Sequence, residues 1–147
     1  MLKDSCNILL TGSNGYLGSS FYNRYKKEYK FNQFSLLKEN INDLNFDNIN
    51  VVLHCAALVH QKFKLSYDKY YEINVEYPLD LAKKAKENGV KQFIFISTIA
   101  VYTEESVFLN ENTYCNPLSN YGRSKLEAEK KLLELNDNNF IVSIVRP

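Results

Sequence analysis

Tyr121 and Lys125 are the residues whose types and spacing best suit proton transfer. They lie in the stretch SNYGRSKLEAEKKLLELND (119–137), which has the apolar period of a helix. Residues four apart share one face of a helix, so the phenol and the ammonium would be neighbours. A phenol has a pKa near ~10, and a nearby ammonium lowers that pKa by stabilising the phenolate. The pair could exchange a proton with a hydroxyl or a ketone. The alternative is an exposed helix with an incidental tyrosine and lysine.

Three glycines form a second candidate site in the stretch LLTGSNGYLGSS (9–20). A short apolar run precedes Gly12, Gly15 and Gly18, and a helical pattern follows them. In that setting Gly12 allows a tight turn, Gly15 lets backbone approach a ligand, and Gly18 lets the helix pack close to the sheet. The helix N-terminus then offers free N–H groups and partial positive charge to a pyrophosphate. An ordinary glycine-rich turn is the alternative.

The elements that position these residues follow from five apolar runs. They predict strands at 7–12, 32–37, 49–57, 90–98 and 140–147. Helical patterns cover 16–29, 66–89 (one long helix or two abutting ones, ending at Asn88-Gly89) and 119–137. The link 38–49 is too short for a full helix and predicts a loop or one turn. Strands that alternate with helices predict an α/β fold with a doubly wound parallel sheet, Rossmann-like, in three αβα layers.

Composition bounds the remaining possibilities. A chain of 147 residues with net charge +1 suits one soluble domain, here 1–147, and carries no nucleic-acid footprint. No apolar stretch reaches the ~20 residues of a membrane span. Three scattered cysteines fit a reduced, cytoplasmic protein. We expect no metal site, since His54 and His60 flank an apolar segment and suit a structural role.

Six stretches resemble the extended short-chain dehydrogenases/reductases in order and spacing, over essentially the whole chain. They are TGSNGYLG, VVLHCAALVH (51–60), INVEYP (73–78), FIFISTIAVY (93–102), NPLSNYGRSKLEAE (116–129) and VRP (145–147). The glycine spacing GxxGxxG is typical of that family. Within it, the chain resembles the nucleotide-sugar epimerase/dehydratase branch (UDP-glucose 4-epimerase-like). That branch continues past the stretch matching VRP into a substrate-binding domain, so the resemblance implies a domain incomplete relative to the family.

The resemblance implies a catalytic set of Thr98, Tyr121 and Lys125. Thr98 lies four residues before the tyrosine of VY and would polarise the reacting oxygen. Lys125 would also hold the nicotinamide ribose hydroxyls, and Asn74 would orient a loop at the nicotinamide half. Ser97 would lie nearer the cofactor, and Asp43-Leu44 matches a pair that binds adenine. The implied cofactor contacts are Gly12, Gly15, Tyr16, Leu17, Gly18, Asp43, Leu44, Ala56, Ala57, Asn74, Ser97, Tyr121 and Lys125.

The cofactor implied is NAD, with NADP as the alternative. An acidic residue at the end of the second strand favours NAD and a basic one favours NADP. The sequence there is SLLKEN, with Lys38 beside Glu39. The lack of the arginine usual in NADP-dependent members favours NAD slightly.

The function implied is an NAD-dependent nucleotide-sugar 4-epimerase of polysaccharide biosynthesis, acting on a substrate of the UDP-hexose class. A 4-keto-sugar reductase and a non-catalytic dinucleotide-binding module are the alternatives. A dehydratase is disfavoured because Ile99 and Ala100, rather than an acidic pair, follow Thr98. The resemblance also implies a homodimer through a four-helix bundle.

Overall fold

The computed structural model describes residues 6–36, 38–59, 65–103 and 108–147. Its five strands are β1 (Asn7–Thr11), β2 (Lys30–Phe34), β3 (Val51–His54), β4 (Gln92–Ile96) and β5 (Ile141–Val145). Its helices are α1 (Tyr16–Tyr25), α2 (Tyr67–Tyr71), α3 (Tyr77–Glu87) and α4 (Asn120–Leu133). His60 and Leu37, which fall within predicted segments, lie outside the described residues.

The strands form one fully parallel sheet in the order β2-β1-β3-β4-β5. This confirms the doubly wound, Rossmann-like sheet. The chain steps from β1 to β2 on one side and then crosses to β3 on the other. The strand order therefore reverses between β1 and β3, and a ligand crevice is expected beyond the carboxyl ends of these two strands.

Apolar side chains cover both faces of the sheet. On one face, register-matched Leu9, Val52 and Phe93 pack with Leu81 of α3 and Ala128 of α4. On the other face, Ile8, Leu10 and Leu53 pack with aromatic residues of α1. Three layers result, as the sequence predicts, because strands buried on both faces need helices on both sides.

The segment between β2 and β3 contains one 3-10 turn, Ile41–Asp43, which confirms the prediction of a loop or single turn. The prediction for β2 is wrong in its bounds, since the strand starts at Lys30 and ends at Phe34 rather than running over 32–37. β2 pairs with β1 from Asn7↔Lys30 onward. Leu36 lies beyond the strand and packs against the core from a turn, so its apolar character does not mark strand.

A π-helical turn, Glu72–Glu76, joins α2 to α3 in one continuous helical run. The Tyr77 N–H reaches back to the Glu72 carbonyl, five residues away. Pro78 follows and has no N–H to donate within the run. A widened turn just before a proline accommodates both the missing donor and the ring. None of the helices in the described ranges is long and apolar enough to cross a membrane.

Candidate dinucleotide and catalytic site

Gly12 lies where β1 meets the segment that follows β3. Its φ is +69°, in the left-handed region that favours glycine. A Cβ on Gly12 would lie 2.5 Å from the Ala56 backbone nitrogen. The predicted tight turn at Gly12 is confirmed, and the same residue brings the two strand ends together at the crevice.

Gly15 and Gly18 pack against the same turn. A Cβ on Gly18 would lie 2.3 Å from the Gly12 carbonyl oxygen, so α1 approaches the turn as closely as backbone allows. The Gly15 N–H donates to the Gly12 carbonyl at 3.0 Å. The close packing predicted for Gly18 is therefore present, although its partner is the turn rather than the sheet.

No side chain in the described part of the chain caps the backbone N–H groups at the N-terminus of α1. Gly15 precedes the helix and contributes no side-chain cap, and the first turn carries no acidic residue. Tyr16 is 86% exposed and Leu17 is 44% exposed. An open first turn with no negative charge suits a phosphate group, because its N–H groups and the helix dipole both favour an anion.

The segment after β3, which forms one wall of the crevice, is hydrogen bonded to β1. The Ala56 N–H donates to the Thr11 hydroxyl oxygen at 3.3 Å, and that hydroxyl lies 2.9 Å from Nδ1 of His54. Ala56 and Ala57 are half-buried here, with small side chains that leave room beside the backbone.

Asn74, within the π-helical turn, holds the next part of this wall. Its side chain accepts from the Leu58 N–H at 2.7 Å and donates to the Leu58 carbonyl at 2.9 Å. It also donates to the Ser124 hydroxyl at 3.0 Å, and Ser124 donates to the Tyr121 carbonyl at 2.8 Å. Asn74 therefore holds the segment that carries Leu58, and its place at the nicotinamide half stays a prediction. Ser124, which the sequence did not single out, extends the link to α4.

Asn74→Leu should lower the free energy of unfolding by roughly 2 to 4 kcal/mol. The substitution leaves the N–H and C=O of Leu58 without their partner, and each unpaired buried group costs roughly 1 to 3 kcal/mol. Urea denaturation followed by circular dichroism measures the change. Asn88→Leu is the control, because Asn88 is exposed and donates to one backbone carbonyl. Equal losses in the two variants would contradict the role of Asn74.

Thr98 and Tyr121 come together at the carboxyl end of β4. Thr98 begins a 3-10 turn, Ile99–Val101, and its hydroxyl accepts from the Ala100 N–H at 3.1 Å. The Tyr121 hydroxyl is hydrogen bonded to the Thr98 side chain. A Cβ on Gly122 would lie 2.2 Å from the Ala100 carbonyl oxygen. Gly122 therefore lets α4 approach the turn that carries Thr98, a role that the sequence reasoning missed.

Lys125 is 1% exposed and lies under the crevice. Its Nζ donates to the Ile96 carbonyl at 2.7 Å and lies 3.8 Å from the centroid of the Phe95 ring. Burial lowers the pKa of Lys125 to about 7, although the negative charge of Glu129 opposes that shift. Burial raises the pKa of Tyr121, and the hydrogen bond from Thr98 offsets part of the rise. The shift of the Tyr121 pKa in this structure comes from burial and from Thr98, and the lowering by Lys125 stays a prediction.

Ser97 has a partner within the fold. Its hydroxyl, 4% exposed, donates to the Glu129 carboxylate, which also forms an ion pair with Arg146. The resemblance places Ser97 near the cofactor, whereas Glu129 and Arg146 are not among the predicted site residues. Their signal in the sequence is one acidic and one basic residue within apolar patterns. Glu129 lies one helical turn after Lys125, and Arg146 directly follows β5.

The part of the crevice next to β2 has the fewest contacts that define its shape. Asp43 ends the 3-10 turn and is exposed, while Leu44 packs partly against the core. The Glu39 carboxylate accepts from the Ser35 N–H at 2.8 Å. Ser35 directly follows β2, so this hydrogen bond brings a carboxylate back to the carboxyl end of the strand.

The amino-acid sequence of this chain is similar to those of several known proteins. The chain is 34% identical to a UDP-glucose 4-epimerase of Vibrio cholerae, over 96% of this chain and 51% of the relative. It is 30% identical to the methionine adenosyltransferase 2 subunit beta of Bos taurus, over 95% of this chain and 45% of the relative. The chain thus spans about half the length of these relatives.

A UDP-glucuronic acid 4-epimerase from Bacillus cereus, solved in complex with NAD, shares the fold with a TM-score of 0.80. The match has 24% identity and covers 95% of this chain and 56% of that one. The sequence model of the NAD dependent epimerase/dehydratase family matches residues 8–147, from β1 to the last residue given. This match confirms the branch that the sequence stretches resemble, and the chain belongs to the NAD dependent epimerase/dehydratase family.

Proposed function

We propose that residues 1–147 form the NAD-binding part of a nucleotide-sugar 4-epimerase acting on a substrate of the UDP-hexose class. The observation that carries the proposal is that Thr98, at the carboxyl end of β4, lies beside the Tyr121 hydroxyl of α4. The 34% identity to a UDP-glucose 4-epimerase supports the reaction class.

The residues present fit a dinucleotide. The open first turn of α1 would hold the pyrophosphate, with Gly12, Gly15 and Gly18 leaving no side chain in its way. The Glu39 carboxylate at the end of β2 is the group that would accept a hydrogen bond from the adenine ribose, which favours NAD over NADP. Asp43 and Leu44 would border the adenine, and Tyr16, Leu17, Ala56 and Ala57 would border the pyrophosphate and nicotinamide half.

Tyr121 would take a proton from the sugar hydroxyl and later return it, while the Thr98 hydroxyl hydrogen bonds the reacting oxygen. Held by these residues, the dinucleotide would supply reversible hydride transfer at the sugar C4. Lys125 would donate to ribose hydroxyls once its ammonium leaves the Ile96 carbonyl. Because burial keeps Tyr121 protonated, its role as a base needs nearby positive charge, from Lys125 and from an oxidised nicotinamide ring.

A 4-keto-sugar reductase is the second candidate, and the raised pKa of Tyr121 favours it. Reduction of a ketone requires the phenol as an acid from the start, which is the protonation state that burial supports. A third candidate is a dinucleotide-binding module without catalysis, since one relative is named as a subunit of another enzyme. We also propose a homodimer in which the α2–α3 run and α4 of each copy form a four-helix bundle; these helices are already linked through Tyr67 and Glu127.

Tyr121→Phe should lower kcat about 10²- to 10⁴-fold, because the variant keeps the ring and loses the proton donor. The 147-residue chain, and any longer in-frame product of its gene, is incubated with NAD and UDP-hexoses while epimerisation is followed. The control is Tyr77→Phe, whose hydroxyl contacts Glu72 on the helical run.

The outcomes separate the candidates. Activity that survives Tyr121→Phe contradicts the mechanism. Turnover of a 4-keto sugar with NADH, without epimerisation, identifies the reductase. Uptake of NAD in calorimetry without either reaction identifies the module. No uptake of NAD or NADP by the folded chain overturns the proposal.

A further inference from the structure

A buried carboxylate lies one helical turn beyond Lys125. Glu129 is 2% exposed and accepts hydrogen bonds from the Ser97 hydroxyl and from Nε and Nη2 of Arg146. Arg146 also donates through Nη1 to the Tyr102 hydroxyl at 2.6 Å. A buried carboxylate needs such partners, because leaving water without them is costly.

This cluster joins the elements that carry the proposed catalytic residues. Ser97 lies between β4 and Thr98, Arg146 follows β5, and Glu129 belongs to the helix of Tyr121 and Lys125. Lys125 and Glu129 also hold two consecutive residues at the end of β4. Lys125 donates to the Ile96 carbonyl, and Glu129 accepts from the Ser97 hydroxyl. The position of the β4 end against α4 therefore depends on both side chains.

Glu129 also supplies charge to the surroundings of Lys125. From β3 and the residue after it, His54 and Cys55 face Lys125; burial lowers the pKa of His54 to about 3 and raises that of Cys55 to about 11. Both groups are neutral near pH 7. Phe95 and the Ile96 carbonyl contribute a ring face and a dipole from β4. The larger of the two charges that favour the ammonium comes from Glu129 on its own helix, ahead of Cys55, and Glu129 is itself ion-paired with Arg146.

We propose that Glu129 is a positioning residue, held by Arg146 and Ser97, whose carboxylate fixes the end of β4 against α4 and stabilises the buried Lys125 ammonium. The link between Glu129 and catalysis rests on the proposed function, because it requires the role of Lys125 given there. The contacts and the charge of Glu129 can be tested without turnover.

The test follows the titration of Lys125 in chain labelled with [13C]lysine. The Cε resonance of Lys125 is identified by its loss in Lys125→Met. In Glu129→Gln, which keeps the shape and removes the charge, the midpoint of Lys125 should fall by about one pH unit. Glu134→Gln removes the same charge from an exposed position at the end of α4 and should leave the midpoint unchanged.

An unchanged midpoint in folded Glu129→Gln overturns the proposal. If Glu129→Gln fails to fold, the double variant Glu129→Gln/Arg146→Met leaves no unpaired guanidinium. Because that variant also removes a positive charge, the fall expected there is smaller than in Glu129→Gln alone. A midpoint at or above that of the wild type in the folded double variant overturns the proposal. Failure of NAD uptake by the wild-type chain would remove the proposed function, while a shifted lysine titration would still support the role of Glu129.

Discussion

Gly12→Ala is expected to lower the free energy of unfolding by roughly 2 to 5 kcal/mol and to weaken NAD binding at least tenfold. The left-handed backbone at Gly12 costs a non-glycine residue about 1 to 2 kcal/mol. The new Cβ would also lie 2.5 Å from the Ala56 nitrogen, which is backbone and cannot rotate away. Forced separation of the two strand ends adds roughly 1 to 3 kcal/mol and displaces the turn that would hold the pyrophosphate. Urea denaturation and calorimetry with NAD measure the two effects.

Gly89→Ala separates the two causes of that loss. Gly89 has a φ of +79°, close to that of Gly12, but a Cβ there would meet no atom within 4 Å. The variant should therefore lose only about 1 kcal/mol and bind NAD like the wild type. If Gly12→Ala behaved like Gly89→Ala in both measurements, the close approach of Gly12 to Ala56 would have no part in forming the site.

The sequence predicts the sheet well because its central strands are buried on both faces. β1, β3 and β4 follow runs of apolar residues, and their observed bounds lie inside the predicted ranges. The stop at Asn88-Gly89 is also confirmed, since α3 ends at Glu87 and Gly89 has a left-handed backbone. Such signals are local, and burial on both faces leaves few ways to satisfy them.

Predictions fail where the deciding contact is distant in sequence. β2 reads KFNQF and is half exposed, so its bounds follow from pairing with β1 rather than from its own pattern. The spacing of Tyr121 and Lys125 predicts a shared face but cannot predict that Lys125 turns to the Ile96 carbonyl, 29 residues away. Likewise, nothing local pairs Glu129 with Arg146.

Acid should destabilise this chain through His54 in particular. The ring lies between Phe93 and Phe95, with centroid separations of 5.9 Å and 5.7 Å. Nδ1 contacts the Thr11 hydroxyl, and the buried Nε2 has no hydrogen-bond partner among the described residues. Burial, with the charge of Lys125 as a lesser cause, lowers the pKa of His54 from 6.5 to about 3. The imidazole is therefore neutral in the folded chain over the whole range in which it takes up a proton in the unfolded chain.

The sign of the effect follows from proton uptake. Between pH 6.5 and about 3 the unfolded chain binds more protons at His54 than the folded chain, so stability falls as the pH falls. The contribution of His54 is fully present above pH 6.5, and the loss by pH 3 is on the order of 5 kcal/mol. Roughly 3 kcal/mol of it should be gone by pH 4. The protein holds only two histidines, so the His54 ring resonances can be followed directly by NMR; they should not titrate between pH 8 and pH 5.

His54→Phe should reverse its effect on stability with pH. At pH 7 the variant keeps a ring between Phe93 and Phe95 and loses the contact to the Thr11 hydroxyl, so its stability should lie within about 1 kcal/mol of the wild type. At pH 4 the variant has no imidazole to protonate on unfolding and should be the more stable protein by roughly 2 to 3 kcal/mol. Carboxylates titrate in both proteins and cancel in the difference, which urea denaturation at the two pH values measures. A difference that stays constant with pH would show that His54 accepts a proton inside the fold. The link from His54 through Thr11 to Ala56 would then carry charge beneath the glycine turn, and the crevice would change with pH rather than keep one shape.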